Sequence, residues 1–306
     1  MGQTKTLFVG FVILILSVSV LASLEKQQKN SNQKLKSNSL RLAQKQGPLF
    51  SFQANEKVRV DVVKKIKRDM LFFVEGFAFI SKNLILESTG LENQTEIHLI
   101  DLDDMSIKNS YTFDPEIFGE GSAMIKDSQT GKNVVFMMTY KNNIVYKMDE
   151  NLTEILQEYP LPPEMREGWG MHKLSEDTII ATDGTNRLFH INPENFTVKQ
   201  IVKVTDSQGY SQDNLNELEI IDGKVYCNIF MSKKIVVFDP YTGKIESTLN
   251  FSPLVQFLES EDGYRQYVGY NNVLNGIAYN PETKQTLITG KNWPYIYEVK
   301  LVQINS

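Results

Sequence analysis

Five segments of this chain open on a polar or aromatic residue beside a glycine or an acid and then continue apolar. They are Glu75-Gly76-Phe77-Ala78, Glu120-Gly121-Ser122-Ala123, Trp169-Gly170-Met171, Asn216-Glu217-Leu218 and Asn275-Gly276-Ile277-Ala278, with first residues spaced by 45, 49, 47 and 59 positions. A period of this length constrains the fold strongly, because each copy must be one supersecondary unit that buries its apolar face against the next copy. A second apolar run follows each opening segment, at 83–88, 134–140, 178–183, 224–230 and 285–291. A third follows at 96–102, 143–149, 187–192, 234–239 and 295–300. Turn pairs such as Asn192-Pro193 and Asp239-Pro240 close several of these. Residues 108–113 and 197–204 read as fourth, outer strands. Short β runs without a long amphipathic helix make the chain all-β. Mostly four antiparallel strands per unit, repeated radially, predict a five-bladed β-propeller over residues 49–306. A β-sandwich would leave the period unexplained. The longest interval contains residues 252–272, which read as an inserted loop.

Register then predicts a site. First strands of propeller blades line the central channel, so Glu75, Glu120, Trp169, Asn216 and Asn275 are expected in one ring at one mouth. Second strands return to the same face and should end in a wider ring of Ser88, Tyr140, Asp183, Phe230 and Lys291. Strict alternation puts Asn216 on the face of Leu218 and Ile220, and Glu217 and Glu219 on the other, structural face. Each residue also has a plainer reading. The inner glycines let crowded strands meet, Trp169 packs between blades, and Lys291 is an exposed turn lysine. Convergence in register favours a pocket but names no chemistry.

Composition bounds the partners. Residues 1–47 carry a net charge of +6 and the remainder −11, and an acidic body argues against nucleic acid. Residues 1–22 hold one lysine, then the apolar run 7–21, and end on Val20-Leu21-Ala22. That pattern fits a signal peptide, hence secretion or the lumen of the secretory pathway. Membrane attachment would follow only if the segment stays uncleaved. Residues 23–48 are polar and basic and are expected to lack a core. Cys227 sits in an apolar run as a core residue. His98, His172 and His190 lack metal-ligand spacing, so no metal or other cofactor is expected. Asn93, Asn151 and Asn195 head glycosylation sequons. A monomer is expected.

The same residues carry a family resemblance. Glu87-Ser88-Thr89-Gly90-Leu91, Phe118-Gly119-Glu120-Gly121, Gly168-Trp169-Gly170, Thr182-Asp183-Gly184-Thr185 and Leu215-Asn216-Glu217-Leu218-Glu219 lie in this order. Val273-Leu274-Asn275-Gly276-Ile277-Ala278-Tyr279 and Thr289-Gly290-Lys291-Asn292-Trp293-Pro294 complete the set. Together, over residues 72–301, they resemble the plant and bacterial type of glutaminyl-peptide cyclotransferase. The resemblance implies a five-bladed propeller that converts amino-terminal glutamine of peptides to pyroglutamate and releases ammonia, without a catalytic metal. It implies catalytic roles for Glu120, Asn216 and Lys291 and a pocket role for Trp169. Three positions depart from the family pattern. Glu75 stands where glutamine is usual, and Tyr140 and Phe230 stand where tryptophans are usual. Substrate contacts are therefore expected from Trp169, Glu75, Tyr140, Phe230 and Asn275. The alternative is a catalytically weak paralogue that binds peptide amino termini without turning them over.

Overall fold

The computed structural model describes residues 47–261 and 271–304. The expected leader and most of the basic tail lie outside them. Among the described residues, twenty-one strands form five antiparallel sheets, and those sheets are the blades of a five-bladed propeller. Blade one is β3 (Val74–Phe79), β4 (Leu84–Thr89), β5 (Glu96–Asp101) and β6 (Ile107–Thr112). Blade two is β7 (Gly119–Lys126), β8 (Asn133–Thr139), β9 (Ile144–Asp149) and β10 (Ile155–Pro160). Blade three is β11 (Met171–Ser175), β12 (Thr178–Thr182), β13 (Arg187–Asn192) and β14 (Thr197–Lys203), and blade four is β15 (Leu215–Ile221), β16 (Lys224–Ile229), β17 (Lys234–Phe238) and β18 (Ile245–Asn250).

The fifth sheet joins the first and last strands of the described residues. Its strands β19 (Leu274–Asn280), β20 (Gln285–Gly290) and β21 (Tyr295–Gln303) are followed in space by β2 (Val58–Lys67) and β1 (Phe50–Gln53). β2 pairs antiparallel with β21 from Val58↔Gln303 to Lys67↔Tyr295. Without β2 the last blade would end on the open edge of β21, and this pairing covers that edge.

Both faces of each inner sheet are covered by neighbouring blades. One apolar cluster lies at each blade-to-blade junction, as where Phe136 of blade two meets Ile179 and Phe189 of blade three. Strands buried on both faces need no polar alternation. Accordingly β8 reads Val134-Val135-Phe136-Met137-Met138 with every side chain buried.

The insertion differs from expectation. Its first part is a helix, α1 (Ser252–Ser260), with Pro253 in the first turn, where a missing N–H costs nothing. Leu254, Val255 and Leu258 share its buried face and pack with Phe52 and Phe251 over the closing sheet. Nine residues supply too few turns for a periodic signal.

Candidate active site

One cavity of about 200 Å³ at the starting ends of the inner strands is lined by Phe73, Glu75, Phe118, Glu120, Tyr140, Trp169, Asn216, Phe230, Asn271 and Lys291. Seven of the ten positions expected from register are in this lining. A backbone irregularity aims the inner residues there. Regular pairing breaks between Val74 and Gly76, between Gly119 and Ser122, between Leu215 and Leu218, and between Leu274 and Ile277. Bulges at these points turn the side chain out of strict alternation. Asn216 therefore reaches the pocket while Leu218 is buried in the junction between blades three and four, which corrects the shared face expected for them. The glycines after Glu120 and Trp169 serve close approach. A Cβ on Gly121 would stand 2.6 Å from the Trp169 carbonyl oxygen, and one on Gly170 would collide with that of Asn216.

Three expected positions lie elsewhere. Ser88 is fully buried and donates its hydroxyl to the Glu120 carbonyl at 2.6 Å. The blade-one counterpart of Tyr140, Phe230 and Lys291 is instead Gly90, where a Cβ would meet the Phe118 ring. Asp183 turns away to accept hydrogen bonds from Arg166 N, Thr185 and Arg187. Asn275 stands behind the wall, fully buried, with Nδ2 2.8 Å from the Val74 carbonyl oxygen and 3.4 Å from Glu75 Oε2.

Electrostatics separate the two carboxyl groups. Glu75, Glu120, Asn216 and Lys291 are at most 5% exposed, so every charge here is largely stripped of water. Lys291 Nζ pairs with Glu75 Oε1 at 2.6 Å and lies 4.6 Å from the Phe73 ring centroid and 5.2 Å from that of Phe230. Burial raises the Glu75 pKa, and the Lys291 charge opposes the rise. Burial also pushes Glu120 well above the usual carboxylate range, and the neighbouring Glu75 charge adds to it. The hydrogen bond between the two lowers Glu75 and raises Glu120. The Lys291 ion pair thus favours the charge on Glu75 and the proton on Glu120.

The remaining wall is amide and aromatic. Asn216 Oδ1 is buried and has no hydrogen-bond partner among the described residues, while its main-chain carbonyl accepts from Thr182 Oγ1 at 3.0 Å. Trp169 meets Phe230 edge-on, centroids 5.3 Å apart at 80°, and donates Nε1–H to Glu167 Oε1 at 3.2 Å. Phe73, Phe118, Asn271 and the buried Glu167 were not foreseen. Phe73 and Phe118 each precede a site carboxylate by two residues, a repeat visible in hindsight. Asn271 belongs to the insertion and has no repeat counterpart.

Glu217 and Glu219 work between strands. Glu217 Oε2 accepts Ile277 N–H at 2.8 Å, and Glu219 accepts Tyr279 N–H at 2.9 Å while pairing with His172 Nε2 at 2.8 Å. A larger cavity, about 540 Å³, opens at the far ends of the inner strands. Its one buried carboxylate, Glu219, already has these partners, and the other acids of its lining, Glu176 and Asp222, are exposed.

The glutamine cyclotransferase family model matches residues 32–301. The chain is 28% identical over 263 residues to a glutaminyl-peptide cyclotransferase of Arabidopsis thaliana, covering 84% of this chain and 75% of that protein. The crystal structure of Myxococcus xanthus glutaminyl cyclase superposes with a TM-score of 0.68 at 24% identity, covering 80% of this chain and 97% of that one.

Proposed function

The chain is an enzyme of the glutamine cyclotransferase family, and from that premise we propose that its pocket cyclises the amino-terminal glutamine of peptides to pyroglutamate. The observation that carries this reading is a buried carboxyl, Glu120, whose surroundings raise its pKa, sharing one small aromatic-walled cavity with Asn216, whose Oδ1 has no partner among the described residues, and with Lys291. At about 200 Å³ the cavity is smaller than drug-sized ligand pockets and suits a single side chain.

The chemistry uses each group once. The substrate's α-amine attacks the γ-carboxamide carbon, a C–N bond forms, and the carbonyl electron pair moves onto oxygen. Lys291 and the Asn216 amide hydrogen-bond that oxygen as it becomes negative. Glu120 gives its proton to the carboxamide nitrogen, the old C–N bond breaks and ammonia leaves. The Glu120 carboxylate then takes a proton from the new ring nitrogen and returns to its starting form. Trp169, Tyr140 and Phe230 exclude water around the glutamine side chain.

A second reading is binding of peptide amino termini without turnover. It is favoured by one observation, that the Lys291 charge is already met by Glu75. Ammonia release from a glutaminyl peptide, followed over about pH 5 to 9 against Glu120→Gln, separates the two. Release in the wild type alone supports cyclisation. Saturable binding with no release supports the second reading. The apolar run at 7–21 and the exposed Asn93, Asn151 and Asn195 support the proposal of a secreted, glycosylated protein.

A further inference from the structure

The two pocket carboxylates come from neighbouring inner strands but have unequal partners. Glu75 holds Lys291 through Oε1 and is approached by Asn275 Nδ2 on Oε2. It also feels the negative charge of Glu217 on β15. Glu120 has no ion pair among the described residues. It is faced by Glu75 from β3, by Lys291 after β20, and by the charge of Glu167 ahead of β11. Neither can turn to water, because Glu75 is 0% and Glu120 5% exposed.

We propose that Glu75 is a positioning residue acting through both neighbours: by holding Lys291 it denies Glu120 a counter-ion, so Glu120 rests as the proton donor while Lys291 stays fixed on the pocket wall. The inference rests on the cyclisation reading of the pocket. One proton is shared by two carboxyl groups that cannot both ionise cheaply, and the lysine decides which of them keeps the charge. The proton is thereby stored on Glu120, where the departing nitrogen needs it. With a neutral amide in place of Glu75, the lysine is released toward Glu120, which then rests ionised.

The test is Glu75→Gln, with Glu75→Asn as a second variant should the first not fold. The alkaline limb of the kcat/KM profile reports loss of the proton from the free enzyme's essential acid, here Glu120. Removing the Glu75 charge is expected to move that limb toward acid by about one pH unit or more. Superimposable profiles in variant and wild type overturn the proposal. A second measurement needs no turnover. The carboxylic-acid C=O band, assigned to Glu120 by its loss in Glu120→Gln, is titrated by infrared difference spectroscopy. The proposal expects it to persist to higher pH in the wild type than in Glu75→Gln, and equal titration overturns it. If the wild type releases no ammonia at any pH, the cyclisation reading fails while the infrared result still decides the pairing.

Discussion

The hydroxyl of Ser88, in blade one, donates to the main-chain carbonyl of Glu120, in blade two, at 2.6 Å. Glu120 is therefore held by its neighbour as well as by its own strand. Asn228 plays the matching part three blades on, its Oδ1 accepting Gly276 N–H at 3.0 Å. Ser88→Ala leaves a buried carbonyl unpartnered, which costs about 1–3 kcal/mol. We expect a lower unfolding midpoint and a fall in kcat/KM larger than in an exposed-site control. Unchanged denaturation and kinetics would dismiss the contact.

Asn216 is expected to matter for turnover more than for stability. Its side-chain oxygen gives up no protein partner when truncated. Removing one donor to a developing oxyanion lowers kcat by about 100- to 1000-fold in comparable acyl-transfer sites. Asn216→Ala should show a drop of that order in ammonia release with a melting temperature close to wild type. A variant that turns over normally would remove Asn216 from the reaction.

Gly170→Ala tests the crowding at the axis. The added Cβ would run into the Asn216 carbonyl and lie 2.8 Å from the Glu217 Cα, and backbone cannot yield as a flexible side chain does. Overpacking costs about 1–3 kcal/mol or more. Loss of soluble protein or a clearly lower midpoint is expected. Gly131→Ala, at a glycine with open space but a φ of +70°, should cost only its local backbone strain.

His98 gives a pH signature away from the pocket. Burial alone would lower its pKa, but Glu87 and Glu96 outweigh burial and raise it. Its Nε2 lies 2.9 Å from Glu96 Oε2, and Glu87 is also paired with Arg68. A histidine with a raised folded-state pKa contributes stability that is full below its unfolded value, about 6.5, and is lost as pH rises through the folded value. His98→Gln should therefore lose most melting temperature, relative to wild type, below about pH 6.5. The gap should close on the alkaline side, and a gap that widens there would contradict the assignment.

The blades and most of the pocket are legible in the sequence because a radial repeat turns equal sequence positions into neighbours. Glu75, Glu120, Trp169 and Asn216 occupy matching positions and meet. Legibility stops where geometry departs from counting. Bulges at Glu75, Glu120 and Asn216 break the period of two, so strict alternation misassigned the face of Leu218. A shift of two residues put Ser88 where Gly90 stands, and only Phe118 packing into that space reveals it. Asn275 holds the right position yet spends its amide on Val74 and Glu75. β2 was hidden for another reason. It belongs to the fifth blade but lies ahead of the first in sequence, so no period reaches it.

That placement of β2 has a consequence for when the enzyme can work. Glu75 and Lys291 come from the first and last blades, and their ion pair spans 216 residues. The pocket straddles the seam that β2 and β21 close. A growing chain carries the acid, the amide and most of the aromatic wall long before it carries the lysine and the strand that completes the ring. A pocket that includes Lys291 is thus incomplete until the fifth blade is made, and a chain clipped before β20 retains four potential blades but lacks that lysine.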